Sequence, residues 1–247
     1  MSLRLIFSFL ILSLCACQKN KSTSVEQDTE QIRKEKREQI KRDSLLKAVE
    51  IPKGGNNISV DLDQIKTLSQ EELKPFLRKY GSNNPETLVK ITTEFGDIKV
   101  NLYADTPLHR ANFIRLVKLG YFNSSFFHRV AQGFVVQGGN SDLQETHKFR
   151  AKIGSYLIPN EIKKKYTHKR GAFSAAKYSE QNVSKASSPF EFFIVQSQRG
   201  AHHLDKDHTV FGEVVEGMQV VDKIAAVPVD QSEWPIKNIF IKAEVIR

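Results

Sequence analysis

Residues Phe127-His128-Arg129-Val130-Ala131-Gln132-Gly133-Phe134-Val135-Val136-Gln137-Gly138-Gly139 constrain this chain more than any other segment. Aromatic and β-branched residues fill the run, and such side chains fit a pleated, half-buried surface. The segment therefore reads as strand. Its few polar residues, one arginine and two glutamines, must then be placed for a reason. An isolated Phe-x-Arg would imply only a half-buried strand whose Arg129 pairs with a carboxylate.

The pattern around this block is mostly β. Leu88 to Thr93 and Ile98 to Leu102 alternate with period two, and Glu94-Phe95-Gly96-Asp97 supplies a hairpin turn between them. Asp105-Thr106-Pro107 predicts a helix start, with a capping side chain and proline in the first turn, and Gly120 predicts its stop. Residues 134–137, 171–175 and 191–196 are further strand candidates. Residues 217–226 predict a second helix with Val220, Val221 and Ile224 inward, and a last strand covers about 238–246. The order fits an antiparallel β-barrel capped by helices at its two ends.

Upstream, Met-Ser-Leu-Arg leads into the apolar run Leu5 to Leu14 and then Cys15-Ala16-Cys17. A positive charge, a short apolar run and small residues make a secretory signal over residues 1–16. Leu14-Cys15-Ala16-Cys17 resembles a bacterial lipobox. That reading makes Cys17 the lipidated first residue of the mature protein, and Gln18 after it favours the outer membrane, on the periplasmic side. A plain cleaved signal is the alternative. Both cysteines of the chain lie here, so no disulfide framework or cysteine metal site is available downstream. Residues 17–50 are charged with mixed signs and read as a tether, either disordered or a solvated helix held by i,i+4 pairs. Residues 51–86 read as a short helical linker segment. In it Ser69 and Glu72 form a capping box for a helix over 69–79, and Gly81-Ser82-Asn83-Asn84-Pro85 ends it. The net charge of +9 could favour nucleic acid, but no zinc-finger spacing, RNP signature or long basic tract supports that, and solubility explains it better.

The central block resembles the signature of the cyclophilin-type peptidyl-prolyl isomerases. Asp97-Ile98-Lys99-Val100, Thr106-Pro107, Ala111-Asn112-Phe113, Phe127-His128-Arg129 and Phe211-Gly212 recur at family-like spacing, and the likeness covers residues 87–247 nearly end to end. It implies a closed eight-stranded antiparallel barrel with two capping α-helices. It also implies cis–trans isomerisation of X–Pro bonds, with Arg129, Gln137 and His208 as the catalytic set. Phe134, Val135, Phe193 and Leu204 would wall the proline pocket, and Ala176 would let substrate backbone approach. Lys177, Glu191 and His203 complete the substrate-binding positions.

The chemistry asked of these residues is simple. Amide resonance sets the barrier to X–Pro rotation. A donor aimed at the prolyl nitrogen favours the twisted state, and so does a dry apolar wall. Differential binding of that state is enough, so no cofactor or metal is expected. Arg129 offers a permanent charge and a rigid fork of N–H groups. Gln137 would bind substrate backbone and hold Arg129, and His208 would be a wall rather than a base. Three positions depart from the family pattern. Glu191 replaces a neutral amide and would pair with Arg129, either orienting it or occupying its donors. Lys177 replaces an asparagine. His203 replaces a tryptophan that contributes to cyclosporin binding, so inhibition by cyclosporin should be weak. Phe126, Phe127 and Phe192 read as core, and His147 and His168 as surface residues without metal-ligand spacing. The expected partners are proline-containing peptides, unfolded exported proteins and a membrane held through the lipid. Nucleic acid is not among them, and a monomer is expected.

Overall fold

The computed structural model describes residues 29–40, 44, 61–178 and 183–247. Cys17 and the apolar N-terminal run lie outside them. The chain divides into two units, 1–50 and 51–247. In the first, residues 29–40 are helical and exposed along their whole length. No helix among the described residues is long and apolar enough to cross a membrane.

The second unit is built on one antiparallel sheet. Its strands are β1 (Leu88–Thr93), β2 (Gly96–Leu102), β3 (Phe126–Ala131), β4 (Val135–Asn140), β5 (Ala172–Ala175), β6 (Phe192–Val195), β7 (Val210–Glu216), β8 (Ile239–Phe240) and β9 (Lys242–Val245). Their order is β8-β3-β4-β6-β5-β7-β2-β1-β9. β8 and β9 are two pieces of one run interrupted at Ile241. The first pairs with β3 and the second with β1, which nearly closes the sheet into a barrel. The expected eight strands are thus present, with the last one broken.

Alternation decides which side chains fill the barrel. Val89, Ile91, Ile98 and Val100 are fully buried in it. So are Phe127, Phe173 and Phe192; Phe127 meets Phe192, and the rings of Phe173 and Phe192 meet those of Phe113, Phe122 and Phe211, at tilted or edge-on angles, the geometry aromatic quadrupoles favour. Phe126 is buried on the other face of β3, against Trp234.

Among the described residues four α-helices accompany the sheet: the two expected caps, the expected helix that starts after Ser69, and one more. α1 (Gln70–Asn83) carries the expected capping box of Ser69 and Glu72 but runs on through Gly81. A Cβ on Gly81 would lie 3.0 Å from the Cβ of Ala111, so glycine serves close helix packing there instead of ending the helix. Ile65, Leu68, Leu73 and Leu77 enter the same core as the barrel, so the described part of the presumed linker is integral to the second unit. α2 (Pro107–Lys118) has proline in its first turn, yet neither Asp105 nor Thr106 caps it. Its N-terminal amides at Leu108 and His109 instead donate to Glu161, at 3.0 and 2.9 Å. A carboxylate from 50 residues away offsets the positive helix end, which local sequence cannot reveal. α3 (Gln144–Ile153) was not legible. α4 (Met218–Ala225) buries Val220, Val221 and Ile224 as expected.

Candidate active site

Strict alternation along β3 would put Arg129 inside the barrel, on the same face as Phe127. A β-bulge prevents this. Phe127 pairs with Gly138 and Arg129 with Gln137, so His128 is one residue too many on β3. The step is compensated on β4 at Gly139, whose φ is +98 and whose added Cβ would fall 2.1 Å from the Phe190 carbonyl oxygen. Bulges commonly re-aim a side chain beside a functional site. Here the bulge takes Arg129 out of the core and sets it opposite Gln137. The row continues through Phe193 on β6 and Ser174 on β5.

This outer face carries a second, smaller apolar cluster: Ala131, Val135, Ala172, Ala176, Phe193, Val195, Ala201 and Val210, with Phe134 and Leu204 packed on it. A cavity of about 180 Å³ opens in it. Arg129, Phe134, Val135, Gln137, Ala176, Lys177, Phe193, Leu204 and His208 line that cavity. Two cationic side chains, Arg129 and Lys177, an amide and an imidazole therefore share the slot with five apolar residues.

Arg129 makes one contact. Its Nε donates to Glu233 Oε2 at 2.7 Å. Nη1 and Nη2 have no partner among the described residues, so the outer fork of the guanidinium is free for a ligand. The expected pairing of Arg129 with Glu191 is not formed. Glu191 instead accepts from Gln137 Nε2 at 3.1 Å, lies 3.2 Å from Arg150 Nη2 and 3.5 Å from His128 Nε2. Burial pushes its pKa up, but the hydrogen bond and charge of His128 and the charge of Arg150 outweigh that and hold it below the usual value. Glu191 thus stands behind Gln137 and does not line the cavity. It has three partners in place of Arg129, namely Gln137, His128 and Arg150, none of them expected from the sequence. Gln137 turns its N–H to Glu191, which leaves its Oε1 as the atom available toward the cavity.

His208 closes the other end. Burial, and then the charge of Lys177, push its pKa down to about 4. It is a neutral ring against Phe193 at 5.6 Å, which suits a wall and not a base. The Lys177 ammonium lies 2.7 Å from Asp207, and its side chain is nearly inaccessible. The hydrogen bond and charge of Lys177 keep the Asp207 carboxyl below its ordinary value. His203 stacks on Phe134 at 5.4 Å, backing the wall from outside the cavity.

His168 is not the surface residue that its basic neighbours suggest. It is fully buried. Its Nδ1 lies 2.7 Å from Asp205 Oδ1, its Nε2 lies 3.0 Å from Ser174 Oγ, and its ring stacks on Phe193 at 5.8 Å. Burial keeps its pKa low despite Asp205. This brace pins the loop that supplies Leu204 and His208. Its partner Asp205 lies 37 residues away, so local sequence does not disclose it. His147 is exposed.

Comparisons agree with this geometry. Residues 88–245 match the family model described as cyclophilin type peptidyl-prolyl cis-trans isomerase/CLD. A peptidyl-prolyl cis-trans isomerase-like 2 of Rhizopus delemar is 38% identical over 165 residues, which is 66% of this chain but only 29% of that protein. A peptidyl-prolyl cis-trans isomerase of Acinetobacter baylyi is 35% identical over 58% of this chain and 73% of its own length. Among solved structures, a cyclophilin type peptidyl-prolyl cis-trans isomerase of Cryptosporidium parvum, crystallised in the presence of the dipeptide Ala-Pro, superimposes with a TM-score of 0.55. It is 26% identical and covers 65% of this chain and 99% of its own. With its barrel, its outward arginine and its apolar slot accounted for, this chain belongs to the cyclophilin-type peptidyl-prolyl cis-trans isomerase family.

Proposed function

We propose that the chain catalyses cis–trans isomerisation of X–Pro bonds in unfolded exported proteins, from a bacterial envelope to which a lipid on Cys17 anchors it. One observation carries the catalytic part. Nη1 and Nη2 of Arg129, unpaired among the described residues, and the apolar walls of Phe134, Phe193 and Leu204 line one cavity whose described lining holds no carboxylate. A proline ring seated on that wall brings its amide nitrogen to the cation. As the amide twists, its nitrogen lone pair leaves resonance and becomes an acceptor, so the donor gains strength only in the twisted state. The dry wall favours the same state because the twisted amide is less polar. Gln137 Oε1 accepts a substrate backbone N–H, and Ala176 leaves room for the chain to pass. Nothing here needs His208 to move a proton. A protease-coupled assay on a proline tetrapeptide, with wild type and Arg129→Ala, tests this. Wild type should exceed the uncatalysed rate and the variant should approach it.

A second reading, a binding module with little turnover, is favoured by Lys177 at the asparagine position and by its pairing with Asp207. It prevails if wild type binds proline peptides yet matches the uncatalysed rate. The anchor rests on Leu14-Cys15-Ala16-Cys17. Mass spectrometry of the mature N-terminus decides it: a diacylglycerol-modified Cys17 is expected, and an unmodified N-terminus elsewhere refutes it.

A further inference from the structure

We propose that Glu233 is a positioning residue for Arg129, gripping the guanidinium through Nε so that Nη1 and Nη2 are aimed at the prolyl amide. The proposal rests on the isomerase reading and deepens it by naming the group that aims the donor.

The first observation is where Glu233 sits. β8 pairs with β3 only at Phe126 and Phe127. Beyond them the edge of β3 is taken over by the turn Asp230–Trp234, where the Val130 amide donates to the Glu233 carbonyl at 2.8 Å. The Glu233 side chain reaches the adjacent residue, Arg129, with Oε2 2.7 Å from Nε. One residue therefore holds two successive residues of the strand, one through its backbone and one through its carboxylate. These two residues lie just past the bulge at His128, where β3 is least regular.

The second observation is backbone strain. Glu233 has φ +63, and only Lys185 and Lys206 share a positive φ among the described non-glycine residues. Such a conformation persists when its surroundings over-determine it. They do so here. Asp230 Oδ1 accepts from the amides of Ser232 at 2.8 Å and Trp234 at 2.9 Å. The Asp230 amide donates to the Trp234 carbonyl at 2.8 Å. The Trp234 ring packs edge-on against Phe126 and 5.7 Å from His128. The turn is wound so that Asp230 turns inward to hold the turn's own amides while Glu233 faces the arginine.

The third consideration is what the pair gives in return. Arg129 and Glu233 side chains are 39% and 43% exposed. An ion pair that open to water contributes little stability, less than left-handed backbone at a non-glycine residue costs. Stability therefore does not account for the arrangement. Orientation does. A guanidinium held at Nε keeps two donors in a fixed plane, whereas a free one must be ordered when the substrate binds. Lysine could not do this, since its single ammonium cannot be held on one side and present a rigid fork on the other.

The test uses the full chain and five proteins: wild type, Glu233→Ala, Glu233→Gln, Arg129→Ala and the Arg129→Ala/Glu233→Ala double variant. Proline-tetrapeptide isomerisation is followed for each, and the ¹⁵N resonance of the Arg129 Nε–H for the three that keep Arg129. Glu233→Ala should lower kcat about tenfold with KM within about twofold, at a melting temperature within about 2 °C of wild type. Glu233→Gln keeps an acceptor and should recover most of the rate. In the Arg129→Ala background, Glu233→Ala should change nothing further. The Nε–H should be protected from exchange in wild type and lose that protection in Glu233→Ala. An active wild type whose rate Glu233→Ala leaves intact overturns the proposal, as does an equal loss with and without Arg129. A wild type without turnover sinks the isomerase reading instead. The Nε–H arm then decides alone: protection lost in Glu233→Ala upholds the grip, and equal exchange in both proteins overturns it.

Discussion

Phe192 and Phe193 are neighbours on one short strand, and they belong to two different molecules in all but covalent bonding. Phe192 points into the barrel, where its ring meets those of Phe113, Phe122, Phe127 and Phe173. Phe193 points out, into a thin apolar layer under a loop, where a cation, an amide and a neutral imidazole share a cavity. The inner layer can be dense because it has no further task. The outer layer must leave a slot unfilled, and it keeps its shape through polar braces: Asp205 on His168, Glu191 on Gln137 and Glu233 on Arg129.

The sharpest way to break this contrast is to truncate each ring. Phe192→Ala should cost about 3–5 kcal/mol in urea-monitored unfolding, because it opens a hole among packed rings. Phe193→Ala should cost clearly less, since its layer already borders a cavity, while losing most isomerase activity. Equal costs would dissolve the distinction. Arg129→Ala should lower kcat/KM by about 10²-fold or more and leave stability within about 1 kcal/mol, because the one side-chain partner it has among the described residues is an exposed carboxylate.

Glu191→Gln sharpens the comparison at the boundary between layers. It leaves Arg150 short of a countercharge and should cost about 2 kcal/mol, without accelerating turnover, since Glu191 does not touch Arg129. The sign of its pH effect follows from the direction of its shift. A carboxyl held below 4.5 in the folded state stabilises the fold above that value, and the contribution is lost as pH falls through the lower folded value. The Gln variant should lack that acid-side loss. His208 gives the smallest effect. It titrates near 4 when folded against 6.5 when free, so stability is full above pH 6.5 and declines as pH falls toward 4. With its partial exposure this amounts to about 1–2 kcal/mol. His208→Gln should flatten that slope, and wild-type kcat/KM should be level from pH 6.5 to 8.

What the sequence disclosed follows from what is local. Alternation placed Ile91, Phe127 and Phe192 inside because a strand's two faces are written two residues apart. The lining of the slot followed from the resemblance, residue by residue. The bulge was illegible, because His128 looks like any strand residue until its partner strand fixes the register. The same holds for Glu161 at the start of α2, for Asp205 beside His168, and for Glu233. Each is a lone polar residue whose meaning depends on a partner tens of residues away. Glu191 shows the converse. Its charge was evident, but the competition among Arg150, His128, Gln137 and Arg129 for it was decided by distances that only the fold supplies.

The run Ile239–Val245 joins the sheet's two margins, with Val245 beside Val89 and Phe240 beside Phe126. While the polypeptide is being synthesised, β1 and β3 each keep a row of unsatisfied amides until that run emerges. Such rows invite pairing with other chains, and contacts this far apart in sequence form slowly. A protein proposed to hasten the maturation of others is itself a late finisher, exposed to misassociation for as long as its seam stays open.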